Sequence, residues 1–588
     1  MLGLLIYAQN THAQDKTIDS IPTVYLQPVT VVAVKAPILS ATKTINPIQR
    51  LSHDAGQIIN ELAAFNSIRK SGNYGFDPVF RGFKFDQINV VIDGGLSATA
   101  ACPSRMDPPT SQIAPNMTSK IEVFKGPYAL RYGTGFGATL NIVTLEAQRN
   151  QERLFSGRVS SSYQTNGNLF GSEAQFGYEA KSSSLQGFAS LTEGEDYRSG
   201  DGTRIAAQLS RKSIGLDYSV DLGASQRIDA EITYNQANNV DFPAQTMDLL
   251  SDRTLLVQLR HQILFSDFGA LERWNTSIFG STVEHLMGNT LREGLKMADA
   301  LTDASTENYG TRSELFFNFS NAQLFLGADF RVESASGYRS RTFLMGPNKG
   351  KSVLDNVWQG GQIQKAGIFS EYRALLGELN IVGSARVEHN HSFMSQPDEL
   401  FNSVNQFDPN QINLSLSLGL KKQLNQQSSL GLWLGRAQRS GSLSERFINF
   451  LPIGIDPYEL VGNPNLKAEK NYQADLVFET HGDNTHLSIN LFGSYLEDFI
   501  SSQIDETLSP RMATAPGVRR FVNIPKAFKT GVEWSLDHPI GKQLYGQASM
   551  AYTYAHNQTN DEPLPEIAPL DIRYSVRGSF YDNKLTPS

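Results

Sequence analysis

Two short motifs carry the side chains best suited to hold a metal ion. Cys102 and Met106 are spaced C-x-x-x-M, and His285 and Met287 are spaced H-x-M. Pro103 favours the first position of a helical turn that starts after Cys102. One such turn would bring residues i and i+4 to the same side, so that a thiolate and a thioether point at one place. On a strand, the two residues of the H-x-M motif share a face.

The ligand types in these motifs indicate which metal they would bind. Cysteine and methionine sulfur with one imidazole form a soft set, which favours copper and especially Cu(I). Zinc accepts Cys and His but makes little use of thioethers. Purely structural roles stay open as alternatives. Methionine often fills gaps in a core, and Cys102, the single cysteine of the chain, could be a buried inert thiol. Either motif alone is weak evidence for a metal site.

Alternation around His285 predicts where its side chain points. Ser277 and Ser281 share the parity of His285, whereas Trp274 and Ile278 have the other parity. Side chains of equal parity lie on the same face of a strand. We therefore expect the H-x-M side chains to face a polar interior near the end of a strand.

The stretch that must position Cys102 runs from Arg81 to Thr144. Its short β-branched runs, Val90–Ile92 and Ile121–Phe124, each end in a glycine-containing turn signal. The pattern predicts a compact α+β unit of short strands and tight turns. A loop containing Cys102 and Met106 separates its two halves.

Beyond about residue 153, segments of about ten residues alternate apolar and polar side chains. In Ile228–Asn235, for example, every second residue is apolar or aromatic. Such strands suit a soluble sandwich or a membrane barrel, and no run of 18 apolar residues that could form a helical span follows the N-terminus. We count about eighteen strands, joined alternately by short turns and long loops. Long polar loops are predicted near 288–308, 335–360, 392–410, 438–470 and 502–520.

Three blocks in order resemble the plug domain of TonB-dependent outer-membrane receptors. They are RGF at Arg81–Phe83, INVVIDGG at Ile88–Gly95 and IEVFKGPYALRYGTGFGATLNIVT at Ile121–Thr144. The resemblance implies a transmembrane antiparallel β-barrel of 22 strands, with an N-terminal α+β plug domain inside its lumen, in the outer membrane of a Gram-negative bacterium. It divides the chain into a plug at 36–148 and a barrel at 153–588. About four last strands are missing by this comparison, which would leave an unpaired edge.

The N-terminal segment carries two further predictions. Residues 1–13 resemble the apolar stretch and cleavage site of a signal peptide. Residues 14–35 are predicted to form a periplasmic extension containing the TonB box, which by resemblance adds a strand to the energy-coupling protein TonB. The predicted box consists of Pro28, Val29, Thr30, Val31, Val32, Ala33 and Val34. The alternative interpretation of these residues is an ordinary first strand of the plug.

With the MDPPTS sequence that begins at Met106, the two metal-binding motifs resemble the OprC/NosA group of TonB-dependent copper receptors. In that group a C-x-x-x-M pair on the plug and an H-x-M pair on the barrel bind copper. The resemblance assigns these roles to Cys102, Met106, His285 and Met287. Nearby methionines are secondary candidates for transient copper contacts, for which packing or loop roles are favoured: Met117 and Met297.

The resemblance implies a receptor that imports copper ions and has no catalytic cofactor. Its expected partners are TonB, a copper ion or copper chelate, and outer-membrane lipid. A net charge of -8 argues against nucleic acid as the main partner, and no nucleophile–base signature indicates an enzyme. Two alternatives stay open: a receptor for a ferric siderophore or another metal chelate, with Cys102 incidental, and an adhesive barrel without transport.

Overall fold

The fold is described from a computed structural model of the chain. The structure describes residues 39–578 except 146–153, 293, 295, 403–407, 453–455, 483, 513 and 542. The predicted signal peptide at 1–13 and TonB box at 28–34 therefore lie outside the described residues.

Residues 39–145 form a domain with two small sheets. The first has the strand order Ser40–Thr44, Thr118–Lys125, Ala138–Thr144, Ile88–Ile92, and only its last pair is parallel. The second consists of Phe65–Ile68, Asp77–Phe80 and Phe83–Lys84. Both β-branched runs are confirmed as strands. The short helices of this domain are Ala55–Ile59 and the 3-10 turns Gln49–Leu51, Phe85–Gln87, Pro109–Gln112, Pro115–Met117 and Leu130–Tyr132.

The predicted turn after Ile88–Ile92 is also present. Asp93 and Gly94 both have a positive φ, of 46° and 78°. Gly94 adopts such a φ without strain because it has no Cβ. The Asp93 carboxylate accepts hydrogen bonds from the backbone N–H and the hydroxyl of Thr144, at 3.1 and 2.7 Å. The turn is thereby tied to the last strand of the domain, as expected for a compact unit.

The rest of the described chain is a β-barrel. Eighteen of its described strands have eight or more residues, in agreement with the predicted number, and each pairs antiparallel with the next. In chain order these strands are Phe155–Gln164, Leu169–Glu179, Ser183–Gly194, Leu209–Asp221, Gln226–Val240, Asp248–Leu264, Leu271–Gly288, Ala298–Asn318, Ala322–Phe343, Gly361–Leu376, Leu379–Met394, Asn410–Gln423, Ser428–Arg439, Glu469–His481, His486–Ile504, Val518–Pro539, Leu544–Asn557 and Asp571–Gly578.

The connections of the barrel contain short elements. Small helices lie at Glu399–Asn402 and Leu443–Phe447, and none of the helices in the described ranges is long and apolar enough to cross a membrane. Short strands lie at Tyr197–Arg198, Arg204–Ile205, Ser352–Asn356, Leu451–Pro452, Glu459–Val461 and Glu562–Pro563.

Within the described residues, the first long strand, Phe155–Gln164, pairs only with Leu169–Glu179, and the last, Asp571–Gly578, pairs only with Leu544–Asn557 among the long strands. This agrees with the unpaired edge expected from the sequence.

Two connections are shorter than the sequence indicated. The strands Ala298–Asn318 and Ala322–Phe343 have 21 and 22 residues and extend into the segments predicted as loops at 288–308 and 335–360. A strand needs about 9–11 residues to cross a bilayer, so both continue well beyond it. Outside the bilayer neither face meets lipid, so the apolar face is lost and the sequence resembles a polar loop.

Buried ion pairs hold the first domain inside the barrel. Arg81 contacts two barrel carboxylates, with Nη1 2.6 Å from Asp475 Oδ1 and Nε 2.5 Å from Glu533 Oε1. Tyr128 donates a hydrogen bond to Asp475, and Lys125 donates one to Glu533. The first domain is thus a plug that fills the lumen, as predicted.

Candidate metal centre

The structure brings both motifs to one place between plug and barrel. Cys102 and Met106 lie in the plug loop that follows the strand Ile88–Ile92, and His285 and Met287 lie at the end of a barrel strand. All four side chains are buried, with exposed fractions of 2–5%. Their spatial proximity, which the two motifs alone could not establish, is therefore a property of the fold.

Direct contacts connect the two motifs. Cys102 Sγ lies 3.8 Å from Met287 Sδ. Cys102 Sγ, a ring nitrogen of His285 and a carboxylate oxygen of Asp107 all lie within 4.8 Å of one another. Met106 packs in the same apolar cluster as Cys102 and Met287. Cys102, His285 and Met287 therefore lie close enough together to be candidate ligands of one metal ion.

The H-x-M motif on the barrel strand Leu271–Gly288 faces the interior of the barrel, as the alternation of polar and apolar residues predicted. His285 and Met287 face the interior, at 2% and 5% exposure, whereas Trp274 and Ile278 face outward at 41% and 58%. The outward side chains occupy the position of lipid contacts in a membrane barrel. The interior direction of both motif residues is confirmed.

The predicted helical turn at Pro103 is wrong. The Arg105 N–H donates to the Cys102 carbonyl oxygen at 2.8 Å, and Arg105 has a φ of 54°, so the chain makes a tight turn and not a helix. The Asp107 carboxylate accepts the N–H groups of Ala101 and Cys102, at 2.7 and 3.0 Å. A side chain that binds nearby N–H groups stabilises such a turn in competition with a helix.

Asp107 is a residue whose role the sequence analysis missed. It precedes two prolines and is not among the predicted ligands. Aspartate commonly accepts hydrogen bonds from nearby backbone N–H groups in turns, and that tendency was the available signal. Burial raises the pKa of Asp107 to about 6, and its two backbone hydrogen bonds fix the loop that carries Cys102.

Asp252 was also missed. It lies on the neighbouring strand Asp248–Leu264, directly opposite His285 in the register. Its Oδ2 is 2.7 Å from His285 Nδ1, and the carboxylate also interacts with the plug residue Tyr74. Because the register between strands cannot be read from alternation, no sequence signal connected Asp252 with His285.

The surroundings of the four residues suit a soft metal ion. Cys102, Met106 and Met287 share their apolar cluster with aromatic and aliphatic side chains that shield them from water: Tyr74, Phe242, Leu249, Val240 and Leu209. His285 Nε2 is buried and has no hydrogen-bond partner among the described residues. A thiolate, thioethers and a free imidazole nitrogen in a dry pocket match the preferences of Cu(I).

The secondary methionine candidates lie elsewhere. Met117 is buried in a different apolar cluster, where Thr233 Oγ1 approaches its sulfur at 3.9 Å. Met297 is 66% exposed, in the connection after the strand Leu271–Gly288. Neither residue is placed among the four motif residues. Met247, by contrast, packs against the apolar cluster that contains Cys102.

Family models match both parts of the chain. The TonB-dependent receptor plug domain matches residues 35–139. The TonB-dependent receptor-like β-barrel matches residues 148–584, most of the chain.

Relatives and solved structures agree on the architecture. A ferric enterobactin receptor from Pseudomonas aeruginosa is 22% identical, covering 89% of this chain and 76% of its own length. The ferrienterobactin receptor of Escherichia coli is 23% identical, covering 78% and 66%. The structure of the copper transporter OprC is similar with a TM-score of 0.79 at 18% identity, covering 92% of this chain and 84% of its own. A mutant of the Pseudomonas aeruginosa ferric enterobactin receptor has a TM-score of 0.69 at 17% identity, covering 93% and 84%.

Proposed function

This chain belongs to the TonB-dependent receptor family, and we propose that it imports copper through a centre formed by Cys102, Met106, His285 and Met287. Members of the family are outer-membrane β-barrel proteins of Gram-negative bacteria and are not enzymes. The proposal concerns the transported ligand, which the family alone does not specify.

The observation that carries the proposal is the contact between the two motifs. Cys102 Sγ and Met287 Sδ are 3.8 Å apart, and a His285 ring nitrogen lies within 4.8 Å of the same thiol sulfur. Copper, and Cu(I) in particular, prefers this combination of thiolate, thioether and imidazole over the oxygen ligands that suit harder cations. Burial of the four side chains keeps water from competing for the ion.

The position of the centre provides a route for release. The plug contributes Cys102 and Met106, and the barrel contributes His285 and Met287. TonB, pulling on the predicted box at 28–34, would displace the plug and separate the two halves of the ligand set. An ion bound from the extracellular side would then lose half of its ligands and pass through the lumen.

A second candidate is a receptor for a ferric siderophore, which the similarity to enterobactin receptors favours. Such a chelate is much larger than a metal ion. It would have to bind outside the buried pocket, because Cys102 and Met287 are each only 5% exposed. In that case Cys102 is a packing residue.

Uptake by whole cells distinguishes the two candidates. Cells that express this chain as their sole added receptor would receive radioactive copper or radioactive ferric enterobactin, in parallel with cells expressing Cys102→Ser. We expect copper uptake that depends on Cys102, with no receptor-dependent iron uptake. Receptor-dependent iron uptake that is equal in both strains, without copper uptake, would contradict the copper proposal and support a ferric siderophore receptor.

A further inference from the structure

We infer that Asp252 is a positioning residue of the metal centre, which holds the His285 ring in the tautomer that presents Nε2 to the ion. The inference rests on the proposed function, because it concerns the same centre. It assigns a role to a residue outside both motifs.

The geometry of the pair is that of a direct hydrogen bond. Asp252 Oδ2 lies 2.7 Å from His285 Nδ1, and both side chains are nearly inaccessible, at 2% and 1% exposure. The two residues face each other across neighbouring strands, just beyond a β-bulge between Leu249 and Ser251. Two paired strands provide a rigid support, so the carboxylate fixes both the distance and the rotation of the ring.

The hydrogen bond determines which nitrogen is free. An ionised carboxylate can only accept hydrogen bonds, so His285 Nδ1 must carry the proton. In a neutral imidazole the lone pair is then on Nε2. That atom is buried and has no hydrogen-bond partner among the described residues, as expected for a ligand atom. Metal-binding histidines are commonly oriented in this way by a carboxylate behind the ring.

Asp107, the other nearby carboxylate, is less suited to this role. Its Oδ2 is 4.0 Å from His285 Nδ1, beyond hydrogen-bonding distance. Both of its oxygens already accept backbone N–H groups, from Ala101 and Cys102. Asp107 therefore orients the cysteine half of the centre, and Asp252 orients the histidine half.

The plug residue Tyr74 completes the support of Asp252. It is buried in the apolar cluster that contains Cys102 and interacts with the Asp252 carboxylate. The Asp252 carboxylate therefore binds the barrel residue His285 and lies close enough to the plug residue Tyr74 to interact with it electrostatically.

The test combines metal affinity with the tautomer of His285. Asp252→Asn has nearly the same shape, but its amide can donate to Nδ1 and favour the tautomer with the proton on Nε2. Asp252→Glu keeps the carboxylate and serves as the conservative rescue. Glu284→Gln is the matched control, because it removes a carboxylate next to His285 whose side chain is 65% exposed.

Cu(I) affinity would be measured by competition with a chromogenic Cu(I) chelator. The tautomer would be read from imidazole nitrogen shifts of ¹⁵N-histidine-labelled protein without metal, at a pH at which the ring is neutral, with the His285 signals assigned by their loss in His285→Gln. We expect Asp252→Asn to bind Cu(I) about 10–100-fold more weakly and to lose the pure Nδ1–H tautomer. Asp252→Glu should recover part of both properties, and Glu284→Gln should match the wild type.

The outcomes separate the inference about Asp252 from the proposed copper function. An unchanged tautomer in Asp252→Asn overturns the inference, whether or not affinity falls, since a fall without a tautomer change is a structural effect only. Unchanged affinity beside a changed tautomer also overturns it. Wild-type protein that binds no Cu(I) refutes the proposed function instead, and the metal-free tautomer still reports whether Asp252 orients the ring. If Asp252→Asn does not fold, a wild-type protein with the proton on Nε2 contradicts the inference.

Discussion

The sulfur of Cys102 lies 3.8 Å from the sulfur of Met287, although the two residues are 185 positions apart in the chain. Cys102 belongs to the plug and Met287 to the barrel wall. Their contact exists only while the plug is seated in the lumen. A metal ion bound there would join the two parts of the protein that transport must move relative to each other.

Asp107 should stabilise the loop that carries Cys102. Replacing it with alanine leaves the N–H groups of Ala101 and Cys102 without their acceptor, at 2.7 and 3.0 Å. The loss of acceptors for buried donors costs about 1–3 kcal/mol. We expect Asp107→Ala to weaken copper binding about 10-fold or more and to make the loop more accessible to protease. Asp267→Asn, in a short exposed turn, should change neither property. Unchanged copper affinity in Asp107→Ala would show that the two hydrogen bonds to Asp107 are not needed to position Cys102.

Arg81 should hold the plug in the barrel. It is 3% exposed and pairs with both Asp475 and Glu533. Removing one member of a buried charge network costs about 3–5 kcal/mol, because the remaining charges are left without a partner. We expect Arg81→Ala to make cells sensitive to hydrophilic antibiotics too large for a plugged barrel. Arg69→Ala, which removes an exposed contact with Gly72, is the control. Equal antibiotic resistance in both variants would contradict this role of Arg81.

Asp54 should make plug stability depend on pH. Its carboxylate accepts hydrogen bonds from the N–H groups of Gly56 and Phe76, and burial raises its pKa from 3.8 to about 7. Between these values the folded plug keeps a proton that the unfolded chain releases, so stability falls as pH rises through this window. Asp54→Asn cannot ionise. Its thermal stability relative to the wild type should therefore be higher above pH 7 than near pH 4, measured by the melting of the plug. A difference independent of pH would contradict the prediction.

The predicted TonB box should be needed for transport and not for binding. Deletion of residues 28–34 removes the strand that TonB would pair with, while the metal centre stays intact. We expect copper uptake to be lost and copper affinity of the purified protein to be unchanged. Deletion of the seven residues 14–20, six of which are polar, is a length-matched control. Normal uptake after deletion of 28–34 would indicate an ordinary plug strand.

Alternation within a segment made much of the fold predictable. The runs Val90–Ile92 and Ile121–Phe124 are strands, and the inward direction of His285 followed from the parity of its neighbours. Local patterns of this kind reflect which face of a strand is buried. The same reasoning failed in Ala298–Asn318, where the strand extends beyond the membrane and loses its apolar face.

Contacts between distant segments could not be predicted from the sequence. The pairing of Asp252 with His285 depends on the register of two strands, which a single sequence does not specify. The turn at Cys102 depends on Asp107, whose side chain binds backbone N–H groups that a helix would also need. The four proposed ligands were found through their chemical types and the family resemblance, whereas the residues that orient them became evident only in three dimensions.

The most direct test of the account is the metal content of the purified protein. After exposure to a mixture of copper, zinc, iron and nickel, the wild type would be analysed by mass spectrometry beside a Cys102→Ala and Met106→Ala double variant. Met297→Ala, which alters an exposed methionine outside the centre, is the control. We predict near-stoichiometric copper in the wild type and the control, and none in the double variant. A copper-free wild type, or equal copper in all three proteins, would contradict the copper centre.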